Sequence, residues 1–578
     1  MPTLSPALPD FLAERLREAT ADAADHDRVI ALMRPADEVM RVDTLRLFKA
    51  SRLSFADMFC RRMATRGWQI RRVAGEVDDE GAGQFVYEIE AEGHEMTYIA
   101  RAYPWDGVEK VGRRSDGALR DMFGALFVGR PDAARIAREF ATFDVKSEGV
   151  MRTDADVIGW TPANRSSRHF DAAVDALAAG RQPEEDLAYL MRNGGFQASG
   201  RNGSISFQGI SEDNPLSHPF FADIFAIWLV RVFSIDLVNA VARRRNPGAA
   251  RLAPDAARSL GIGNSSGQGM CVALQRWPHW VATWVLVREL ALAYAKSREI
   301  TPAGRATLSE SLARTIAIYR SSDPQVEDYV VPNGQIIAGL TRIEGWLATA
   351  AGTWDSLARR VEEQLDGETR EQFHSLLLDT VPEFCDAVAP WFAIGAGRQR
   401  RFDPCMSVAG LRDILRRNYG WALTTDRSLA ATHQHFWYHS VDNGEQRRGD
   451  RIIDPHEAFE SFIDHVGLIQ RLASVLTAFP DGARAGEVAL AHPDLHYAMS
   501  RVQYLDGLPY AEIRDSIAHR DFRPADLIRF FLGSLGIRGA VPLSIRYVRG
   551  TFFQREVLPE DIAATAPAAA DQTEEVRA

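Results

Sequence analysis

The chain has 578 residues, 46% hydrophobic and 25% charged, with a formal net charge of -11 at pH 7. This describes a globular protein with enough core for about two to four domains, and the acidic balance excludes a general nucleic-acid binder. Cys60, Cys271, Cys385 and Cys405 are widely spaced without a CxxC pair, which excludes a disulfide framework and a zinc knuckle and fits a reducing cytoplasm.

The N-terminal MPTLSPALPDFLAERLREA has no basic start followed by an apolar core, so no signal peptide is expected, and ALPDFLAERL reads as an amphipathic helix. Residues 1–68 read as helical. RRVAGEV, GQFVYEIEAEG and HEMTYIARAY then carry the Val, Tyr, Phe and Ile content of short antiparallel strands, predicting a small meander. From Ala133 to Ala178 the pattern reads as helices again, with Asn164, Ser166 and Ser167 in a capping region before HFDAAVDALAAG.

Helical patterns dominate from His218 to about Ile394. The most apolar part, Phe220 to Val230, is too short and too charged to span a bilayer and is expected to be a buried helix. Residues 395–578 mix helices with two strand-like stretches, HQHFWYHSV and VPLSIRYVRGTFFQ. The expected fold is mainly α with minor β (α+β): a helical N-terminal region with the small meander (1–150), a large helical body (151–400), a mixed C-terminal region (401–560) and a disordered tail (561–578).

Two glycine-rich regions interrupt the helical body. In GIGNSSGQGMC, residues 261–271, four glycines allow close backbone approach, and Asn264, Ser265, Ser266 and Gln268 supply polar groups for an anionic or carbonyl-bearing ligand. Gly263 to Gly267 matches the G-x-S-x-G form of a nucleophile elbow, with Ser265 as nucleophile. The preceding AARSL, however, reads as a helix end and not as the strand that an elbow needs. The paired serines before a methionine also resemble the mobile loop of the fumarase and aspartase lyases, in which a serine is the base; the lysine and asparagine expected after it are missing.

The second region, MRNGGFQASGRNGSISF, residues 191–207, offers Arg192 and Arg201 as bidentate partners for a carboxylate or phosphate. Lysine chemistry has few openings, because Lys49, Lys110, Lys146 and Lys296 are the only lysines.

Histidines gather in the last third of the chain. As a strand, HQHFWYH puts His433, His435 and His439 on one face, suited to Zn, Fe, Mn or Cu, with Glu445 or Asp450 to complete the set. Without metal, His435 or His439 is a candidate general base. In the following EQRRGDR, Arg451 is the candidate clamp for an acidic substrate.

The stretch from GIGNSSGQG through WVLVRELALA, with FWYHS and the later arginine pair, resembles a pattern of long bacterial proteins without an assigned activity. It covers most of residues 190–455, and it implies no site residue.

The expected function is a cytoplasmic enzyme of lyase or hydrolase type acting on a small anionic metabolite by acid–base chemistry. Ser265 or His439 would be the proton acceptor, with arginine as anion clamp. Two alternatives stand beside it: a metal-dependent oxygenase or hydrolase using the His cluster, and a helical binding or scaffold protein. No cofactor is favoured outside the metal reading, and no nucleic-acid or membrane partner is expected; a homo-oligomer is compatible with the sequence.

Overall fold

A computed structural model describes residues 8, 10–78, 81–104, 121–147, 156–166, 169–183, 189–193, 197–198, 214–217, 220–264, 278–321, 331–393, 402–426, 437–440, 446–448, 459–461, 465–506, 524–542 and 548–553. The strands are β1 (Gln69–Val77), β2 (Gly83–Ala91), β3 (His94–Ala102), β4 (Met122–Val128), β5 (Val157–Arg165), β6 (Tyr189–Asn193), β7 (Gln197–Ala198), β8 (Gly261–Asn264), β9 (Trp437–Ser440), β10 (Gln446–Arg448), β11 (Phe459–Ser461), β12 (Arg538–Pro542) and β13 (Val548–Phe552).

The expectation of minor β structure is corrected. Ten strands form one sheet in the order β1-β2-β3-β4-β5-β6-β8-β13-β12, with β7 pairing β5, and β9, β10 and β11 form a second, three-stranded sheet. The meander of β1, β2 and β3 is therefore the start of a large mixed sheet. That sheet collects strands from as far apart as Gln69 and Phe552.

The physical reason is burial on both faces. β4 (MFGALFV) and β5 (VIGWTPANR) are buried along nearly their whole length, so they lack the period-two alternation that marks a one-sided strand. This also overturns the helical reading of residues 133–178, which β5 interrupts. On one face the Ala133–Ser147 helix packs on β4, and Phe140 and Phe143 meet Phe123, Phe127, Val157 and Trp160.

The other face is covered by the Phe221–Arg245 helix, which packs against β1, β5, β6 and β8. By length and composition this helix is apolar enough to cross a membrane, yet its apolar window is 72% buried in the core. Its outer end, Arg243 to Arg245, forms the last turn, where cations complement the helix dipole.

Beyond the sheet, the Pro278–Ser297, Pro302–Ser321, Asn333–Leu347, Trp354–Gln364, Gly367–Thr380 and Glu383–Ala393 helices share the same core. A separate small core lies within residues 408–502, built by Leu411, Leu415, Leu472, Leu476, Val488 and Val502.

Candidate functional site

The two glycine-rich regions meet in the sheet. β6 leads into the 191–207 region and β8 opens the 261–271 region, and the two strands pair in parallel with Tyr189↔Gly261, Arg192↔Gly263 and Asn193↔Asn264. Asn193 and Asn264 are therefore side by side in register, while β7, Gln197–Ala198, continues the pairing along β5. The strand reading of Gly261–Asn264 corrects the assignment of the whole stretch to a loop: a buried strand does precede Ser265, after a short Pro254–Ser259 helix.

The register contains a bulge. Three residues advance on β6 from Tyr189 to Arg192 while two advance on β8, and such an irregularity re-aims side chains. Tyr189 and Arg192 thereby lie over the same glycine. A Cβ built on Gly263 would be 3.0 Å from Arg192 Cγ and 3.1 Å from Tyr189 Cδ2, so the missing side chain makes room for both.

The Arg192 guanidinium carbon is 5.7 Å from the Tyr189 ring centroid, a cation–π contact. The His169 ring also meets the Tyr189 ring edge-on, with centroids 5.2 Å apart and planes at 77°. His169 immediately precedes the Phe170–Ala178 helix. The result is a His169–Tyr189–Arg192 row at the β6–β8 pair.

Buried arginines hold the surrounding backbone. Arg231, 1% exposed, donates from Nε to Leu260 O at 2.6 Å and from Nη2 to Ala257 O at 2.7 Å, with its guanidinium 4.9 Å from the Trp228 ring. It ties the residues leading into β8 to the core helix. Arg165, also 1% exposed, closes the end of β5: its Nη2 donates to Gly81 O at 2.9 Å and Tyr103 O at 2.8 Å. Its backbone N–H donates to the Asp121 carboxylate at 2.9 Å. Burial lowers the Arg165 pKa, while Asp121, Asp171 and Asp78 oppose that shift.

Of the residues expected from the sequence, Arg192 and the backbone of Asn264 are brought together here. Ser265, Ser266, Gln268, Arg201, His433, His435 and Arg451 lie outside the described residues. His439 belongs to β9 in the three-stranded sheet, in register with Gln446 of β10 and Glu460 of β11, so it shares no strand pairing with Arg192. Among the described residues, no group of three or more His, Cys, Asp or Glu side chains is arranged to hold a metal ion.

His169 and Tyr189 were missed by sequence reasoning. The motif around His169 reads as a helix start, and nothing local in EEDLAYL marks Tyr189 as a site residue; the pairing of β5, β6 and β8 creates the cluster.

A second polar centre is buried among the helices. Glu289 and Glu371, with no exposed side-chain surface, bind Arg34 and Arg288: Arg34 Nε and Nη2 donate to the two Glu289 oxygens at 2.7 and 2.8 Å, and Arg288 Nη2 donates to Glu371 Oε2 at 3.0 Å. His374 Nε2 lies 3.1 Å from Glu362 Oε1, which also pairs with Lys296. Lys49 and Arg529 share Glu368.

Burial alone would raise these carboxyls, but the adjoining cations outweigh it: Glu362 and Glu368 are held at about 2, and Glu371 lies well below the usual range. Burial and the neighbouring Arg529 push the Lys49 ammonium down even as Glu368 holds it. Closed ion networks of this kind fix helix packing, and Lys296 is engaged in one.

Compared with known protein families, curated proteins and solved structures, the chain matches none.

Proposed function

We propose that this chain is a cytoplasmic enzyme acting on a small anionic metabolite by acid–base chemistry, of lyase or hydrolase type, at the bulged β6–β8 pair. The observation that carries the reading is the parallel pairing of β6 and β8, where the two glycine-rich sequences begin, beside His169, Tyr189 and Arg192. The planar guanidinium of arginine matches the geometry of a carboxylate or phosphate. An imidazole is the side chain best suited to proton transfer near neutral pH. The thiols of Cys385 and Cys405 fit a reducing compartment.

The test uses the full chain with a panel of small carboxylates and phosphoesters, read by thermal shift and by mass spectrometry of the products. One anion should bind and turn over. Arg192→Met should raise KM more than it lowers kcat, and His169→Gln should lower kcat by about a hundredfold, the range of general acid–base catalysis. Binding of no anion at millimolar concentration would discard the enzyme reading in favour of a scaffold.

A further inference from the structure

The Asn333–Leu347 and Trp354–Gln364 helices bury Ile343, Leu347, Leu357 and Val361 in the core, and their outer sides carry a cluster that the site above does not use. Arg342 and Trp346 stand four residues apart on the first helix, so they share one face, and Arg360 and Gln364 do the same on the second. The Arg342 guanidinium carbon is 5.1 Å from the Trp346 ring centroid and that of Arg360 is 4.3 Å from it. Arg342 Nη2 also donates to Gln364 Oε1 at 3.3 Å. Two helix-face pairs thus close around a single indole.

Arg342 and Arg360 are exposed and Trp346 is half-buried. Among the described residues no carboxylate forms an ion pair with either guanidinium, and the Trp346 indole N–H makes no hydrogen bond. The arginines around them are engaged: Arg359 pairs with Asp355, and Arg305 donates to Leu347 O and Ala350 O. Glu362, two residues from Arg360, is turned to Lys296 and His374. A Cβ built on Gly345, next to Trp346 in the chain, would meet nothing within 4 Å, so the helix borders open space there. Two like charges are held at one ring without a counter-charge from the described chain.

We propose that Arg342, Trp346 and Arg360 form a docking point for an acidic, extended peptide segment of a protein partner. Charge complementarity carries the choice: each guanidinium keeps donors that match a carboxylate, and its contact with the indole restricts it before binding, which lowers the entropy lost on association. In an extended peptide, side chains two residues apart point to the same side at a spacing of roughly 7 Å, so carboxylates at alternate positions can each meet one guanidinium. A nucleic acid is the poorer complement. The guanidiniums occupy the ring on which a base would stack, and the net charge of -11 opposes a long polyanion.

Fluorescence anisotropy of a labelled peptide alternating glutamate and alanine, titrated with the full chain at low salt, tests the proposal. Wild type should bind the peptide, and Arg342→Gln and Arg360→Gln should each weaken the Kd by about fivefold, the worth of one well-placed exposed ion pair. Arg359→Gln removes a neighbouring cation that already pairs with Asp355, and it should change the Kd by less than about twofold. All three positions are exposed, so the fold should tolerate each change, and equal Tm values check this. An equal loss in Arg359→Gln would reduce the effect to general surface charge and overturn the docking point. So would a wild type that does not bind the peptide, or one that binds a single-stranded RNA oligomer more tightly. Arg192→Met should leave peptide binding unchanged, so this proposal and the β6–β8 site fail separately.

Discussion

Glu368→Gln should separate charge from packing in the buried ion network. Glu368 is 2% exposed and is shared by Lys49 and by Arg529, whose Nη2 donates to Oε1 at 2.6 Å. Burial disfavours its charge, yet the two cations hold the carboxyl at about 2 against an ordinary 4.5. At about 1.4 kcal/mol per tenfold, that gap amounts to about 3 kcal/mol of stability at neutral pH. The folded pKa is depressed, so the contribution is present in full above pH 4.5 and is lost as pH falls through about 2. Urea unfolding should show the glutamine variant about 3 kcal/mol less stable at pH 7, with the deficit shrinking to less than half at pH 3. An equal deficit at both pH values would refute the electrostatic argument and assign the loss to packing.

Gly533→Ala should destabilise the chain by about 2 kcal/mol, seen as a lower Tm, because a Cβ there would stand 2.6 Å from the Phe48 carbonyl oxygen, which belongs to fixed backbone. Arg231→Met should cost about 3 kcal/mol in urea unfolding, since the buried Leu260 and Ala257 carbonyls each lose a charged donor. The same variant should speed hydrogen exchange in Gly261–Asn264, the strand that Arg231 secures; unchanged protection there would mean that it does not hold β8.

The Phe221–Arg245 helix was legible in its apolar run because it is buried on every side over its first turns, and β2 in the alternation of GQFVYEIEAEG because only one of its faces is buried. β4 and β5 were not, since burial on two faces removes the alternation, and the Gly, Pro and Asn residues of VIGWTPANR argue locally against a strand. β8 was hidden in the same way: GIGN has glycines where a strand usually has β-branched residues, and only its partners β6 and β13 make it one. Of the candidate site, Arg192 and the two glycine-rich sequences could be read from the chain. His169 and Tyr189 join them through a bulge and through pairing across long sequence separations, which no local pattern encodes. The buried ion network had one visible sign, the adjacent Arg288 and Glu289 inside the apolar WVLVRELALA, but its partners Arg34 and Glu371 come from distant helices or turns.

The central claim is that the His169–Tyr189–Arg192 row receives a small anion, and the most direct measurement is calorimetric titration of the best-binding carboxylate or phosphoester into wild type and Arg192→Met. The account predicts at least a tenfold weaker Kd in the variant, about 1.4 kcal/mol. Equal affinity in the two proteins would contradict it and move the anion site away from the β6–β8 pair.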